Sequence, residues 1–422
     1  MYISKLRLSN IRCFEKLEID FDKLRSSILL VGDNGDGKST ILRSLAMGLC
    51  DESSAAALFR ELPGEFVRHA DNIDEGKIEV ELSAGGGYHY KIITIIKSLE
   101  TFERVQQRVF RIQGKNVKKL DQDTFPWHKI FVSGYGAGIR TQGTADFQHF
   151  LAVDAVYPLF NYSVPLQNPE LVVRRLVDEA EQQAKNENSQ TIHKRRKDVL
   201  NEIRQLLSCL LKLGDEDRIV LSRTGIELKR GKDRSELGTL GDGYRATVTW
   251  ILDLLSWWML RGNGAKSAAA IKDIKGIVLI DEVEQHLHPR WQVAILQLLR
   301  DSFPNIQFVA STHSPLVASG CKNIPVHIFN KGQHEVIEPF GWLAEDVYRE
   351  MGLESSRAKT FKELIKNFEM LDMKRLQGEF SEDDKRRLVT LRKELQSLPG
   401  TDPIALTTEL KNLTKKLKRS RE

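Results

Sequence analysis

The chain has 422 residues, of which 41% are hydrophobic and 29% are charged, and its formal net charge is +5. This balance is typical of a soluble globular protein with a charge-rich surface, and the mild positive charge permits contact with nucleic acid without requiring it. The four cysteines form no C-x-x-C pair, which argues against a disulfide framework or a zinc site. No signal peptide is recognisable, and no apolar run approaches the roughly 20 residues of a membrane span. We therefore expect a cytoplasmic protein that does not enter a membrane.

Alternation and apolar runs predict mostly strands in the first third of the chain. Residues 3–21 are expected to form two strands, and residues 28–31 a short strand buried in a parallel sheet. A glycine-rich turn and a helix from Ser39 to about Leu49 follow. A hairpin is predicted over residues 78–82 and 88–96, with Gly85–Gly87 at its turn, and another strand over 129–133.

Helical spacing dominates from residue 168 to about residue 213, with a break near residues 186–188. Strand-forming sequence returns at 218–228, and a long helix follows Gly243. Two further strands are predicted at 274–281 and 306–311, with a helix at 290–300 between them. Beyond residue 341 the chain is polar and helical, with Ser381 as one N-cap. These changes divide the chain into four segments: 1–167, 168–215, 216–340 and 341–422.

The turn after the third predicted strand has the pattern of a phosphate-binding loop. Residues 32–40 read G-D-N-G-D-G-K-S-T and match G-x-x-x-x-G-K-[ST] between a strand and a helix. Its glycines let backbone N–H groups face phosphate oxygens, and the helix N-terminus adds partial positive charge. We expect Lys38 to contact the β- and γ-phosphates of ATP and Ser39 to bind Mg²⁺. The predicted nucleotide-binding residues are Asn34, Gly35, Asp36, Gly37, Lys38, Ser39 and Thr40.

A run of aliphatic residues at 276–280 ends in two carboxylates, Asp281 and Glu282. A buried strand places both at its C-terminal edge, which we expect to lie next to the phosphate loop, on the adjacent strand. Asp281 is then placed to hold Mg²⁺ through water, and Glu282 to polarise the attacking water. The alternative is a structural strand whose exposed end happens to be acidic.

The strand at 306–311 also ends in polar residues, the last of which is His313. We expect His313 to lie level with Glu282 on a neighbouring strand, where it donates to the γ-phosphate or orients water. A histidine that only caps the strand is the alternative. The predicted catalytic residues are therefore Glu282, His313 and Lys38.

A second glycine turn, Gly241-Asp242-Gly243, precedes the long helix and again favours an anion at a helix N-terminus. The loop that carries Lys38 already occupies one side of the phosphates. We therefore expect residues 241–243 to contact the γ-phosphate held by a partner subunit. An ordinary N-cap turn is the alternative.

Four elements, in chain order the phosphate loop, the second glycine turn, the acidic strand end and the strand before His313, resemble those of the ABC-type ATPases of the RecF, SMC and OLD group. The opening pattern L-x-L-x-N-x-R-x-F at residues 6–14 is similar to theirs. The H-L-H-P sequence at residues 286–289 stands where the family has its D-loop, which contacts the partner subunit. Two histidines one residue apart also suggest a metal site, which is the alternative interpretation. The resemblance implies an α/β fold: an ABC-type P-loop ATPase head with a mixed central sheet flanked by helices, a helical insertion and a helical C-terminal region. Two features depart from the pattern, since Gly241 replaces the usual signature serine and only Gln142 is a candidate for the Q-loop.

Within the group, the L-G-D-G-Y-R signature, the short insertion and the helical C-terminus resemble the PtuA-type ATPases of Septu and retron-linked anti-phage systems. Those proteins work beside a separate HNH nuclease. The segment after His313 is too short and too helical for the Toprim domain of the OLD nucleases. The resemblance thus implies an ATPase that binds and hydrolyses ATP with Mg²⁺ in a head-to-head dimer or higher oligomer and regulates a partner HNH nuclease.

Basic stretches at residues 194–197 and 411–421 are candidates for contact with DNA or RNA, or are solvated helix faces. One alternative function is an ATP-binding sensor or scaffold with negligible turnover, which Gly241 motivates. A DNA-repair ATPase is another. The ATPase subunit of a membrane transporter is disfavoured by the N-terminal pattern, the wide separation of the two glycine turns and the H-L-H-P sequence.

Overall fold

The computed structural model describes residues 1–21, 27–62, 64–70, 73–84, 87–98, 103–137, 152–184, 190–211, 213–214, 216–259, 271–330, 332–352, 359–378 and 381–395. Two compact units are present, Met1–Leu353 and Glu354–Glu422. Gln142, Gly85, Gly86, the break at 186–188 and the basic stretch 411–421 lie outside the described residues, as do the side chains of 194–197. The four segment boundaries predicted above stay predictions.

The strands of the first unit are, in chain order, β1 (Tyr2–Ile11), β2 (Phe14–Asp20), β3 (Ile28–Gly32), β4 (Glu75–Ser83), β5 (His89–Ser98), β6 (Glu103–Gln113), β7 (Asn116–Leu120), β8 (Val132–Tyr135), β9 (Asp217–Ser222), β10 (Gly225–Arg230), β11 (Asp233–Glu236), β12 (Gly276–Ile280), β13 (Ile306–Thr312), β14 (Val326–Asn330) and β15 (Gln333–Ile337). The helices are α1 (Lys38–Gly48), α2 (Glu52–Arg60), α3 (Pro169–Ala184), α4 (Gln190–Leu210), α5 (Asp242–Trp258), α6 (Pro289–Gln292), α7 (Ile295–Ser302), α8 (Pro315–Ser319), α9 (Ala344–Glu350) and, in the second unit, α10 (Lys359–Gln377) and α11 (Glu382–Leu395).

The central sheet is mixed and has the strand order β15-β14-β3-β13-β12-β8. All neighbours are parallel except β14 and β15, which are antiparallel. Its inner strands are buried on both faces, which explains their nearly continuous aliphatic sequence. The predicted α/β fold with a mixed central sheet is confirmed. The expectation that β12 is adjacent to β3 is wrong, because β13 lies between them.

Successive residues of the central strands pack into different cores. Leu29 and Val278 belong to the cluster that includes α3, α4 and α5, whereas Leu30 and Leu279 belong to the cluster that includes α1 and the second sheet. This second sheet is antiparallel and has the order β2-β1-β4-β5-β6-β7. The central sheet thus lies between a layer of helices and a layer formed by α1 and the antiparallel sheet. The loops that follow β3, β12 and β13 lie at the C-terminal edge of the central sheet.

Two predicted elements differ from the structure. The strand expected at 129–133 is β8, displaced toward the C-terminus by a 3₁₀ turn at Trp127–Lys129. The helix expected at 290–300 is divided into α6 and α7. At this break the Val293 carbonyl lies so close to Gly320, which caps α8, that a Cβ on Gly320 would be 1.7 Å from its oxygen, so the break coincides with close packing against the end of α8.

The second unit contains a helical pair, α10 and α11, with Phe368 and Leu388 buried between them. Ser381 caps α11 as predicted, because its Oγ accepts a hydrogen bond from the Asp384 amide at 3.1 Å. Within the part of the chain that the structure describes, no helix has the length and apolar character needed to cross a membrane.

Candidate nucleotide site

The phosphate loop follows β3 and ends at Gly37, whose φ of 87° forms the left-handed N-cap of α1. Glycine is required here twice over, since a Cβ on Gly37 would lie 2.5 Å from both Cys13 Sγ and the Phe14 ring. The N-terminal L-x-L-x-N-x-R-x-F pattern therefore has a structural role, because its last residue backs the loop. The Asp33 amide donates to Asp36 Oδ2 at 2.7 Å, which closes the loop on itself.

Lys38 is 5% exposed at the first turn of α1. Its Nζ donates to the carbonyl oxygens of Gly32 and Asp33 at 2.8 and 2.9 Å and lies 3.5 Å from Nδ1 of His313. Burial lowers the pKa of Lys38, and the carboxylates of Asp281 and Asp36 oppose that shift. The lysine is thus aimed along the loop, with acidic groups close enough to keep a cation in this buried position.

The acidic pair follows β12 in a sharp turn in which Glu282 has a φ of 50°. Ser311 of β13 holds this turn: its Oγ donates to Asp281 Oδ1 at 2.5 Å and accepts from the Glu282 amide at 2.9 Å. Burial raises the pKa of Glu282, and the neighbouring charges of Asp281 and Glu284 add to the increase. A carboxylate with a raised pKa is a stronger base toward water.

His313 lies just beyond β13, one residue past the position level with Glu282 in the sheet register. Its Nε2 is 3.9 Å from Glu282 Oε1, while its Nδ1 faces Lys38. The side chain thus stands between the predicted water-activating carboxylate and the phosphate loop. Three of the sequence-predicted residues, Lys38, Glu282 and His313, are brought together from three separate strand ends.

Glu284 is a residue that motif matching did not identify. Its Oε1 accepts a hydrogen bond from the His313 amide at 2.6 Å, which ties the turn after β12 to the end of β13. Its charge also acts on Glu282 and on Lys38. The D-E-x-E spacing was the available signal, but nothing local indicates that the second glutamate meets a backbone amide 29 residues away.

The second glycine turn is exposed at Gly241 and Asp242, at the start of α5. Gly243 packs against the H-L-H-P segment so closely that a Cβ there would lie 2.5 Å from the His286 carbonyl oxygen. Tyr244 packs edge-on against Trp291 with ring centroids 4.7 Å apart. The glycine turn at residues 241–243 and the H-L-H-P segment therefore form one continuous surface. The nucleotide contacts predicted for residues 34–40 and 241–243 stay predictions.

A buried polar network joins α5 to the acidic turn after β12. Asp253 of α5 accepts hydrogen bonds from Tyr135 OH at 3.0 Å and from the Gln167 amide at 2.9 Å. The Tyr135 carbonyl in turn accepts from the Asp281 amide at 2.8 Å. Burial raises the pKa of Asp253 to about 7. An ionisable group thus lies between α5 and the acidic turn after β12, and its buried partners could not be identified from the sequence.

The residues present suit Mg²⁺ and a triphosphate. Ser39 is partly exposed at the first turn of α1, and Asp281 is a buried carboxylate whose charge acts on Lys38. Hydroxyl and carboxylate oxygens are ligands that Mg²⁺ accepts, and the backbone N–H groups of a glycine turn at a helix N-terminus bind phosphate oxygens. A profile described as "AAA domain" matches residues 5–229, more than half of the chain. The chain belongs to the AAA domain family.

A second profile of this kind, "AAA domain, putative AbiEii toxin, Type IV TA system", matches residues 171–319. Among relatives that this chain matches, the Septu protein PtuA of Bacillus mycoides (strain KBAB4) is 27% identical over 328 residues, which cover 76% of this chain. The chain spans only 39% of that PtuA. The retron Vc95 probable ATPase of Vibrio cholerae serotype O1 biovar El Tor is 23% identical over 439 residues, covering 87% of this chain and 84% of that protein. The resemblance to Septu and retron ATPases is confirmed.

Among solved structures, an SMC head bound to the C-terminal winged-helix domain of ScpA aligns with this AAA domain chain at 14% identity and a TM-score of 0.47. The alignment covers 80% of this chain and 97% of that one.

Proposed function

We propose that this protein binds and hydrolyses ATP with Mg²⁺ and that nucleotide turnover switches it between assembly states. The observation that carries the proposal is the meeting of Lys38, Glu282 and His313, from the ends of β3, β12 and β13. A lysine on a phosphate loop and a water-activating carboxylate at the end of a parallel strand are the parts that P-loop ATP hydrolysis requires.

Each residue has a role in this proposal. Lys38 and the backbone of residues 34–40 hold the β- and γ-phosphates, and Ser39 and Asp281 hold Mg²⁺, which offsets phosphate charge when bound. Glu282 accepts a proton from the attacking water, and its raised pKa suits that task. His313 orients the water or donates to the γ-phosphate from its position beside Glu282.

The exposed signature turn supports a head-to-head dimer or higher oligomer. Residues 241–243 present a glycine turn and the N-terminus of α5 to solvent, next to the H-L-H-P segment. We infer that this surface meets the γ-phosphate held by Lys38 of a second copy. ATP then closes the pair because it binds the closed state more tightly, and hydrolysis removes that difference in affinity.

The biological role proposed is that of an anti-phage defence subunit in the cytoplasm that controls a separate HNH nuclease acting on DNA or RNA. Its support is the similarity to a Septu PtuA and to a retron probable ATPase. The pull-down that tests it uses the tagged full chain, with and without a non-hydrolysable ATP analogue, followed by sizing. Recovery of the chain alone and as a monomer under both conditions contradicts the role.

A second candidate is an ATP-binding sensor with negligible turnover. Gly241 favours it, since glycine removes the hydroxyl that a signature serine offers to the γ-phosphate. The two candidates share nucleotide binding and oligomerisation, and they differ only in whether phosphate is released.

Glu282→Gln separates these two candidates. If Glu282 is the base, the amide abolishes proton acceptance, and the rate of phosphate release falls by about 100-fold or more while ATP binding persists. Steady-state phosphate release and binding of a fluorescent ATP analogue are measured on the wild type, on Glu282→Gln and on the exposed control Glu338→Gln. A wild-type rate no higher than that of Glu282→Gln leaves the sensor as the function.

Glu284→Ala tests the fixing of His313. Loss of the acceptor for the His313 amide costs about 1–3 kcal/mol; if that cost falls on the transition state, kcat falls roughly 5- to 150-fold while the KM for ATP changes little. Glu284→Gln keeps a carbonyl acceptor and restores most of the rate. Equal losses in both variants mean that charge rather than the hydrogen bond matters, and a higher KM with unchanged kcat contradicts the positioning role.

A further inference from the structure

The β6–β7 hairpin concentrates positive charge. Residues 104–120 contain six basic side chains and no acidic one: Arg104, Arg108, Arg111, Lys115, Lys118 and Lys119. For comparison, the net charge of the whole chain is +5. This segment, which follows Glu103 at the start of β6, therefore concentrates positive charge, and it lies outside the candidate nucleotide site.

Strand alternation assigns three of these cations to one face. Val105, Gln107 and Val109 of β6 are buried, so Arg104 and Arg108 point to the opposite, outward face. Lys119 of β7 pairs with Phe110 and therefore shares that face. All three cations are exposed, whereas Phe110 is half-buried among them. We call Arg104, Arg108, Phe110 and Lys119 the basic face.

On the neighbouring strands, most cations of the same face are paired with carboxylates, with the exposed Lys16 of β2 as an exception. Lys5 pairs with Glu18 and Asp20, and Arg7 with Glu18 and Glu81. Lys77 and Lys91 both pair with Glu79, and Lys97 pairs with Glu75. Arg104, Arg108 and Lys119 form no ion pair with any residue that the structure describes. Unpaired cations of this face are thus concentrated on β6 and β7.

Protection of a sheet edge explains only part of this pattern. Lysines on the edge strand β7 discourage pairing with another chain. However, β7 pairs only with Val109–Gln113 of β6, and the edge of β6 that carries Arg104 and Arg108 is already covered by α2, whose Glu52 side chain accepts a hydrogen bond from the Gln107 amide at 2.7 Å. Unpaired arginines there need another explanation.

We propose that the basic face binds the phosphate backbone of a nucleic acid. From Arg104 to Phe110 the strand spans about 20 Å at roughly 3.3 Å per residue, comparable with six nucleotides of one strand at about 3.4 Å each. Arginine and lysine bind backbone phosphates without reading sequence, and the Phe110 ring offers a stacking surface to an unpaired base. The inference rests on the proposed nucleic-acid role and gives it a location.

The test compares two triple variants of the full chain with equal charge loss. Arg104→Gln/Arg108→Gln/Lys119→Gln removes the basic face, and Lys232→Gln/Arg234→Gln/Lys272→Gln removes three exposed cations elsewhere. Binding of labelled duplex DNA, single-stranded DNA and single-stranded RNA is measured by fluorescence anisotropy over a salt series. Melting temperatures confirm that both variants are folded.

We expect the basic-face variant to lose at least tenfold in affinity and its salt slope on the duplex to fall by about two to three, since each phosphate contact contributes about 0.9. The control variant should change the salt slope by less than about 0.9, the value for one phosphate contact. If the wild type binds single strands more tightly than duplex DNA and Phe110→Ala removes this preference, the Phe110 ring stacks on an unpaired base.

Three outcomes overturn the proposal: no nucleic-acid binding by the wild type, equal slopes for both variants, or equally tight binding of polyglutamate or phosphatidylserine vesicles. Phosphate release is measured in parallel without nucleic acid, and the basic-face variant should keep the wild-type rate. A wild type that binds nucleic acid through this face but releases no phosphate would reject the hydrolysis proposal while leaving this one intact.

Discussion

Lys38→Ala should abolish ATP binding. The ammonium is a buried cation at the start of α1 that the loop carbonyls aim toward the phosphate-binding turn. Its loss removes a charge-assisted contact to the triphosphate in a site where water screens little, so we expect affinity to fall by about 100-fold or more. Isothermal titration calorimetry with ATP and Mg²⁺ measures the change. Wild-type affinity in the variant would contradict the site.

The control must separate binding from folding, because Lys38 also donates to Gly32 and Asp33 within the loop. Lys38→Met keeps the buried aliphatic stem and removes only the ammonium, whereas Lys272→Ala removes an exposed lysine. A melting temperature near that of the wild type in Lys38→Met, together with lost binding, assigns the effect to the charge. Unfolding of both Lys38 variants would mean that the lysine chiefly holds the loop together.

Asp253→Asn should change how stability depends on pH. The pKa of Asp253 rises from its ordinary 3.8 to about 7 because the carboxyl group is buried. Between these values the unfolded chain is ionised and the folded chain keeps the proton, so stability falls as the pH rises. Over about three pH units the loss is roughly 4 kcal/mol, at about 1.4 kcal/mol per unit. Asparagine does not titrate and should remove this loss.

The measurement is the difference in the free energy of unfolding between Asp253→Asn and the wild type, obtained from urea unfolding at pH 4 to pH 8. A difference is needed because His327 acts in the opposite direction: burial lowers its pKa from 6.5 to about 4, which makes stability rise with pH over that range. This contribution is common to both proteins and cancels. We expect the free energy of unfolding of Asp253→Asn, relative to that of the wild type, to increase steadily up to about pH 7. A relative free energy that does not change with pH would contradict the raised pKa.

The elements that depend on contiguous sequence were predictable. The phosphate loop is one continuous stretch in which glycine, lysine and serine each meet a local requirement, so residues 32–40 identify it before any fold is known. The aliphatic run before Asp281 marks a strand buried on both faces for the same reason. The order of strands was not predictable in this way, and β13 lies between β3 and β12 where adjacency was expected.

Contacts between distant residues explain what motif matching missed. Glu284 meets the His313 amide only because β12 and β13 are parallel neighbours whose C-terminal ends coincide. The sequence shows Asp253 as a single acidic residue in an apolar helix, and only the structure shows that it is buried and accepts a hydrogen bond from Tyr135. The cations of β6 stand out only once strand register shows which other lysines and arginines are neutralised by glutamates.

The sequence alone determined that a strand, a glycine turn and a helix form a loop suited to phosphate, and that two carboxylates end a buried strand. These properties are local, since they follow from φ freedom, helix N-terminal charge and burial. Only the tertiary structure decided which partners meet: His313 with Glu282 and Lys38, Ser311 with Asp281, and Gly243 with His286. Strand order and register bring these residues together over long stretches of chain, and neither is encoded in any single segment.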